Sequence, residues 1–226
     1  MQASQLKPAS QCAKQYGVKA LAHGGPGSGK TPLIMTAPSP VICATEPGLL
    51  SLRDSNIPTW EAYTPAAIDE FMLWVTTSQE ANQFDTICID SVSQMAETYL
   101  EFELKNNKHG LKAYGVMAEK VMPHMRALYH LQRKHVYLIA KQHTTDEGGG
   151  MLKKRPYFPG KELNVKVPHL YDEILCVGKY QMPNIQGEQR AIRTLDSLTV
   201  SARDRSGQLN EYEQCNLAEL FAKCMS

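Results

Sequence analysis

The segment Gly24-Gly25-Pro26-Gly27-Ser28-Gly29-Lys30-Thr31 constrains this 226-residue chain more than any other stretch. So many glycines disfavour both helix and strand interiors, but they free the backbone to turn several N–H groups toward one centre. The pattern G-x-x-x-x-G-K-[ST] follows an apolar run at 18–22 and precedes a segment read as a short helix. In that context it cradles phosphate oxygens, with the helix N-terminus aimed at the same anion. Lys30 supplies a point charge for the β- and γ-phosphates, and the Thr31 hydroxyl is a Mg²⁺ ligand. The nucleotide-binding set read from the segment is Gly25, Pro26, Gly27, Ser28, Gly29, Lys30, Thr31 and Pro32. Pro32 is unusual so early in the following helix. It is tolerable because first-turn N–H groups lack intrahelical partners. A tight glycine-rich turn with a chance Lys-Thr is the competing reading.

Beyond the loop, short apolar runs at 40–45, 57–62, 85–90 and 135–140 read as strands. Between them, Ile68, Phe71, Met72 and Val75 recur at helical spacing, as do Val92, Met95, Ala96 and Tyr99. A further helix is expected to run to about residue 133, kinked at Pro123. Alternating strands and helices predict an α/β fold: a mainly parallel sheet flanked by helices. Residues 105–113 read as a basic connector, and 143–159 as a long mobile loop without period. A short helix and strands at 172–180, 189–195 and 198–203 should follow, added antiparallel at the C-terminal edge. An amphipathic helix is expected over 214–224. Residues 1–16 read as a flexible arm, and 17–226 as one core.

Composition supports a folded core: 42% of residues are hydrophobic and 21% charged, close to globular averages. Neither a membrane-length apolar run nor a signal-peptide core is evident, so a cytoplasmic protein with no membrane partner is expected. The six cysteines form no C-x-x-C pair, and Cys43, Cys88 and Cys176 sit in apolar runs as small reduced hydrophobes. The seven histidines show no metal spacing. The net charge of +1 hides an asymmetry. Residues 1–104 hold 5 Lys/Arg against 11 Asp/Glu, and the remainder holds 19 against 12, so balances of −6 and +7 sum to +1. A positive half can hold a polyanion, although uneven surface charge accounts for it equally well.

Three further residues carry candidate chemistry. Asp90 closes the strand TICID, where a carboxylate can hold Mg²⁺ beside the phosphate loop or merely cap the next helix. Glu46 directly follows the strand VICAT and could deprotonate an attacking water, or be a surface acid before Pro47. Gln142 ends VYLIAKQ, where a polar tip can sense the γ-phosphate, or be an ordinary exposed glutamine.

Together, the phosphate loop, Glu46, DTICIDS and the strand ending in Gln142 resemble the RecA/KaiC-type ATPase core. The segments ATEPGLLSLRD, KAYGVMAEKVM, VYLIAKQ and SARDRSG resemble phage nucleotide-binding proteins of the AAA type. Within these, the similarity is to single-strand annealing proteins built on a bare RecA core, the fourth Sak class. It covers about residues 17–222. The resemblance implies a RecA-like P-loop NTPase fold with ATP and Mg²⁺ as cofactors. It makes Asp90 the Walker B acid, Glu46 the catalytic glutamate and Gln142 the switch residue. It implies a homo-oligomer, filament or ring, with ATP at subunit interfaces. Arg203 and Arg205 of SARDRSG would be neighbour-reaching fingers, or a surface pair around Asp204. The implied catalytic set is Glu46, Lys30, Gln142, Arg203 and Arg205.

RecA-like cores hold single-stranded DNA on two loops, matched here by 105–113 and 143–159. These offer Lys105, Lys108, Lys112, Lys153, Lys154 and Arg155, with His109, Tyr157 and Phe158 beside them. Basic groups neutralise phosphates and aromatics stack on bases. The expected activity is ATP hydrolysis, stimulated by DNA, in a protein that promotes annealing or homologous recombination, with a single-strand binding protein as a further partner. A host-cell cytoplasm is the implied location of a phage-encoded chain. The resemblance leaves strand exchange in doubt, because no separate DNA-binding domain flanks the core. A nucleotide-gated adaptor that binds no DNA is the alternative, and a small-molecule P-loop kinase a third.

Overall fold

The computed structural model describes residues 6–106, 110–182 and 186–226. A short helix α1 (Ala9–Lys14) lies in the segment read as an arm. Strand β1 (Lys19–His23) leads into the phosphate loop. β2 (Pro40–Ala44), β3 (Thr59–Glu61), helix α2 (Pro65–Thr77) and β4 (Thr86–Asp90) follow. Helices α3 (Val92–Asn106) and α4 (Gly110–Tyr129) precede β5 (His135–Ile139). The chain continues through β6 (Lys141–Asp146), β7 (Leu152–Tyr157) and α5 (Lys161–Leu170). β8 (Glu173–Gln181), β9 (Glu188–Arg193), β10 (Tyr212–Glu213) and α6 (Leu217–Cys224) complete it.

Eight strands form one sheet in the order β10-β9-β8-β1-β5-β4-β2-β3. Pairing from β8 through β3 is parallel, whereas β9 and β10 add antiparallel at the edge. This is the RecA-like architecture: β5 lies between the phosphate-loop strand β1 and the acid-bearing strand β4. Period-two alternation divides each central strand between two cores. Leu21, Val41, Ile87, Val136 and Leu138 face α2, α3, α4 and α5. Ala20, Ile42, Cys88 and Tyr137 face the opposite layer, where α6 packs. The two sequence-predicted helical faces are buried as expected: Ile68, Phe71, Met72 and Val75 on α2, and Val92, Met95, Ala96 and Tyr99 on α3.

Four local expectations are corrected. The segment after the phosphate loop is a five-residue 3₁₀ helix, Pro32–Thr36. Pro32 sits at its first position and the chain turns extended at Ala37. The stretch read as a loop at 143–159 is instead mostly the antiparallel hairpin β6–β7, paired from Lys141↔Tyr157 to Asp146↔Leu152. Its strands lie outside the main sheet and carry polar residues, so they show no apolar alternation. The turn uses Gly148, Gly149 and Gly150, all at positive φ. The basic connector is largely helical, because α3 runs to Asn106 and α4 starts at Gly110. The strand expected at 198–203 makes only isolated bridges, Lys154↔Val200 and Ile174↔Arg203. The last strand is Tyr212–Glu213.

Candidate active site

Parallel strands end together, and their C-terminal ends bring distant residues to one place. Thr31 donates from Oγ1 to Asp90 Oδ2 at 2.7 Å, joining the phosphate loop to the end of β4. Lys30 folds back across its own loop and donates from Nζ to the carbonyls of Gly24 at 2.7 Å and Gly25 at 3.1 Å. The buried Tyr137 hydroxyl, from β5, donates to the Lys30 carbonyl at 3.1 Å and anchors the loop from below. Gly27 and Gly29 take φ of 71° and 100°. Gly24 is fixed by proximity, since a Cβ there would lie 2.3 Å from the Val177 carbonyl of β8.

Glu46 is reached through Ser91. The Ser91 hydroxyl donates to Glu46 Oε1 at 2.9 Å. Thr45 locks the same corner: its hydroxyl donates to Ser91 O at 2.7 Å and accepts from Ser91 N at 2.9 Å. The Asp90–Ser91 peptide is cis. Lys30, Thr31, Asp90 and Glu46 are thus brought together at one end of the sheet.

The charges fit a nucleotide and a hard cation. Burial raises the Asp90 carboxyl, and Glu46 adds to that. The Thr31 hydrogen bond and Lys30 act in the opposite sense. Burial lowers Lys30, which Asp90, Cys176 and Glu46 oppose. A carboxylate held up by burial beside a hydroxyl oxygen is the oxygen donor pair Mg²⁺ takes, and an ammonium held down by burial gains from a polyphosphate. Thr31 and Asp90 would hold the metal, which supplies charge neutralisation at the phosphates.

Gln142, the expected switch residue, is the second residue of β6 and so belongs to the hairpin rather than to the end of β5. The Cys176 thiol lies 3.8 Å from its Oε1. His23, fully buried at the end of β1, contacts Ser201 O through Nε2 at 2.7 Å. Burial lowers its pKa to about 4, against the opposing effects of Ser201 and Gln142. It is a neutral packing residue, and no metal-binding cluster forms among the described residues. The six cysteines are unpaired, with Cys43, Cys88 and Cys176 buried.

The remaining candidates lie elsewhere. Arg203 donates from Nη2 to the Pro168 carbonyl at 2.7 Å and also to the Tyr171 carbonyl, tying down the end of α5. Arg205 pairs with Asp172 at 2.7 Å. Both sit at the N-terminal end of the strands, opposite the phosphate loop. Arg205 lines a cavity of about 400 Å³ with Tyr16, Lys19, Tyr129, Asp172 and Glu173. Lys105 and Lys112 are exposed on α3 and α4, and Lys108 lies outside the described residues, as does His109. On β7, Lys153 pairs with Asp196 at 2.7 Å and Arg155 with Glu147 at 2.8 Å, while Lys154 is exposed. Phe158 is fully buried and cannot stack on a base, because it fills the core beneath α4 and α5. Tyr157 is half-buried against His143.

Sequence reasoning missed the link from Ser91 to Glu46, and missed Thr45, Tyr137 and Arg190. The first three carry only a hydroxyl each, and nothing in their spacing marks it. Arg190, on β9, lies over the phosphate loop: its Nη2 is 3.4 Å from the Gly27 carbonyl, and a Cβ on Gly29 would lie 3.1 Å from its guanidinium. The lone signal for it is a charged residue on an edge strand.

A phosphate loop on a parallel strand, a facing acid on a strand one removed and a second carboxylate beside it define a P-loop ATPase-type domain. The family model described as AAA domain (AAA_24) matches residues 16–206. The chain belongs to that AAA family. No curated protein matches its sequence. Among solved structures, it is similar to the KaiC-like protein PH0186 from Pyrococcus horikoshii OT3, with 14% identity, a TM-score of 0.42, and 79% of this chain and 78% of that one covered. It is also similar to the flagellar accessory protein FlaH from Methanocaldococcus jannaschii, with 10% identity, a TM-score of 0.40 and the same shares covered. No helix among the described residues is long and apolar enough to cross a membrane.

Proposed function

We propose that this chain hydrolyses ATP in a homo-oligomer and uses the nucleotide state to set its grip on single-stranded DNA, in annealing or recombination. The observation that carries the reading is the placement of Gln142. It stands at the root of the β6–β7 hairpin, one short step from β5, so a change at the nucleotide end of the sheet reaches the hairpin without passing through another element. In the proposed cycle Lys30 and the loop N–H groups hold the phosphates, and Thr31 with Asp90 holds Mg²⁺. Glu46, oriented by Ser91, takes the proton of the attacking water. Exposed Lys105, Lys112 and Lys154 hold phosphates of the strand. Lys153 and Arg155 join by exchanging Asp196 and Glu147 for phosphate. Arg203 or Arg205 of a neighbouring copy acts as the finger by leaving its Pro168 and Tyr171 or Asp172 partners.

The test is the anisotropy of labelled oligo-dT with Mg²⁺ and a non-hydrolysable ATP analogue, with ADP, and without nucleotide. Salt-sensitive binding with the triphosphate alone supports the reading. If about three phosphates are neutralised per subunit, log K should fall with log salt at a slope near −2, from about −0.7 per phosphate. A nucleotide-gated adaptor is the second reading. It is favoured by the internal pairing of Lys153 and Arg155 and by the exposed Met151 and Leu152 at the hairpin tip. Absence of DNA binding in a protein that binds ATP would select it.

A further inference from the structure

We infer that Arg190 is a phosphate-binding residue of this chain's own nucleotide site, standing in for the longer helix that this loop lacks. The inference rests on the ATP reading above and extends it to a residue outside the phosphate-loop motif.

In a P-loop, two devices beyond the lysine favour the anion: converging N–H groups and the dipole of a following helix. Here the second is weak. The segment after the loop is five residues of 3₁₀ helix, begun by a proline that removes one N–H. Little aligned dipole stands behind the phosphates.

The geometry supplies a different positive group. β8 continues past the end of β1, and β9 returns beside it with Arg190 opposite Lys179. Strand alternation puts Arg190 on the same face as Ile192, which is buried with Leu33 and Ile34 of the 3₁₀ helix. The guanidinium therefore hangs over the loop, against Gly27 and Gly29. Among the described residues no carboxylate is within ion-pair distance of it. Arg193, further along β9, is paired with Glu211. An unpaired guanidinium, with planar donors suited to phosphate oxygens, faces the loop built to hold them. Its 3.4 Å approach to a neutral carbonyl is a poor use of a charge, and a phosphate is the better partner.

The test is calorimetric titration of the full chain with Mg²⁺-ATP and, separately, with inorganic tripolyphosphate. R190A should weaken both by about tenfold, the usual cost of one charge-assisted hydrogen bond. R190K should recover part of the loss. K120A removes the same charge from an exposed position on α4, in the opposite layer, and should change neither, which separates a local contact from net charge. R190A binding tripolyphosphate as tightly as the unaltered protein overturns the proposal, including when ATP alone weakens, because Arg190 would then serve the base or sugar. If the unaltered protein binds ATP and R190A does so equally, the nucleotide reading stands and this one falls. If the unaltered protein binds neither ligand, the nucleotide reading itself fails.

Discussion

Glu173→Gln should remove a component of stability that falls as pH rises from 6.5 to 8. Glu173 opens β8 and is 1% exposed. Burial pushes its carboxyl up to about 8 from 4.5, and the charge of neighbouring Asp204 adds to this, while the backbone N–H groups of Ser206 and Arg205 oppose it. Asp204 is held low, by Ser206 and the N–H groups of Leu209 and Gly207. Of these two carboxyls, Glu173 is the one that holds its proton to the higher pH. A carboxyl raised in the folded state binds a proton that the unfolded chain has released, so its stabilisation is complete below pH 4.5 and is lost as pH rises through about 8. At about 1.4 kcal/mol per pH unit, the whole passage has a ceiling of about 5 kcal/mol, and pH 6.5 to 8 accounts for about 2 of it. The cavity beside Glu173 admits solvent and will reduce both figures.

Burial depresses His23 and His135 to about 4, and their cost to stability fades as pH rises through 6.5. Burial likewise depresses Lys19 to about 8, and the stability it returns grows as pH rises through that value. These groups act alike in both proteins, so the difference between the two curves reports Glu173. Urea unfolding at pH 6.5, 7, 7.5 and 8 reads the slope. The unaltered protein should lose roughly 1–2 kcal/mol relative to the glutamine variant across the series. The variant has no titrating group there, so it should already be the more stable at pH 6.5 and the gap should widen toward pH 8. Parallel curves for the two proteins would refute the raised carboxyl of Glu173.

Four further outcomes follow from the site. Glu46→Gln should retain ATP binding and lower single-turnover hydrolysis by about 10²–10⁴-fold, as measured by phosphate release. Thr31→Ala should abolish Mg²⁺-dependent tightening of ATP binding in calorimetry, since its hydroxyl stands 2.7 Å from Asp90. Gly24→Ala puts a methyl group 2.3 Å from the Val177 carbonyl, so thermal unfolding should show a loss of about 1–3 kcal/mol together with weakened nucleotide binding. Tyr137→Phe leaves the Lys30 carbonyl without its 3.1 Å donor and should cost about 1 kcal/mol in urea unfolding.

What could be read from the sequence was whatever a local period or a fixed spacing imposes. The phosphate loop announces itself because only glycines suit its turns, and Asp90 because an acid ending a buried strand beside such a loop has few other uses. The helical faces of α2 and α3 were legible because each buries one stripe. The hairpin β6–β7 was not, because strands outside the main sheet need no apolar alternation: KQHTTD and LKKRPY look like solvent-facing chain until Gly148–Gly150 folds one on the other. The third edge strand was misplaced for a related reason. Residues 198–203 have strand composition, but they spend their pairing on single bridges to β7 and β8. Those bridges change how the basic half of the chain is understood. Sequence offers a cluster of cations for a polyanion, whereas the fold pairs Lys153 with Asp196, Arg155 with Glu147 and Arg205 with Asp172. A paired cation must trade one anion for another, so its net gain on binding DNA is smaller than that of exposed Lys154. The charge asymmetry thus overstates the surface open to a polyanion, and under the proposed grip on DNA single substitutions at Lys154 should weaken oligo-dT binding more than those at Lys153.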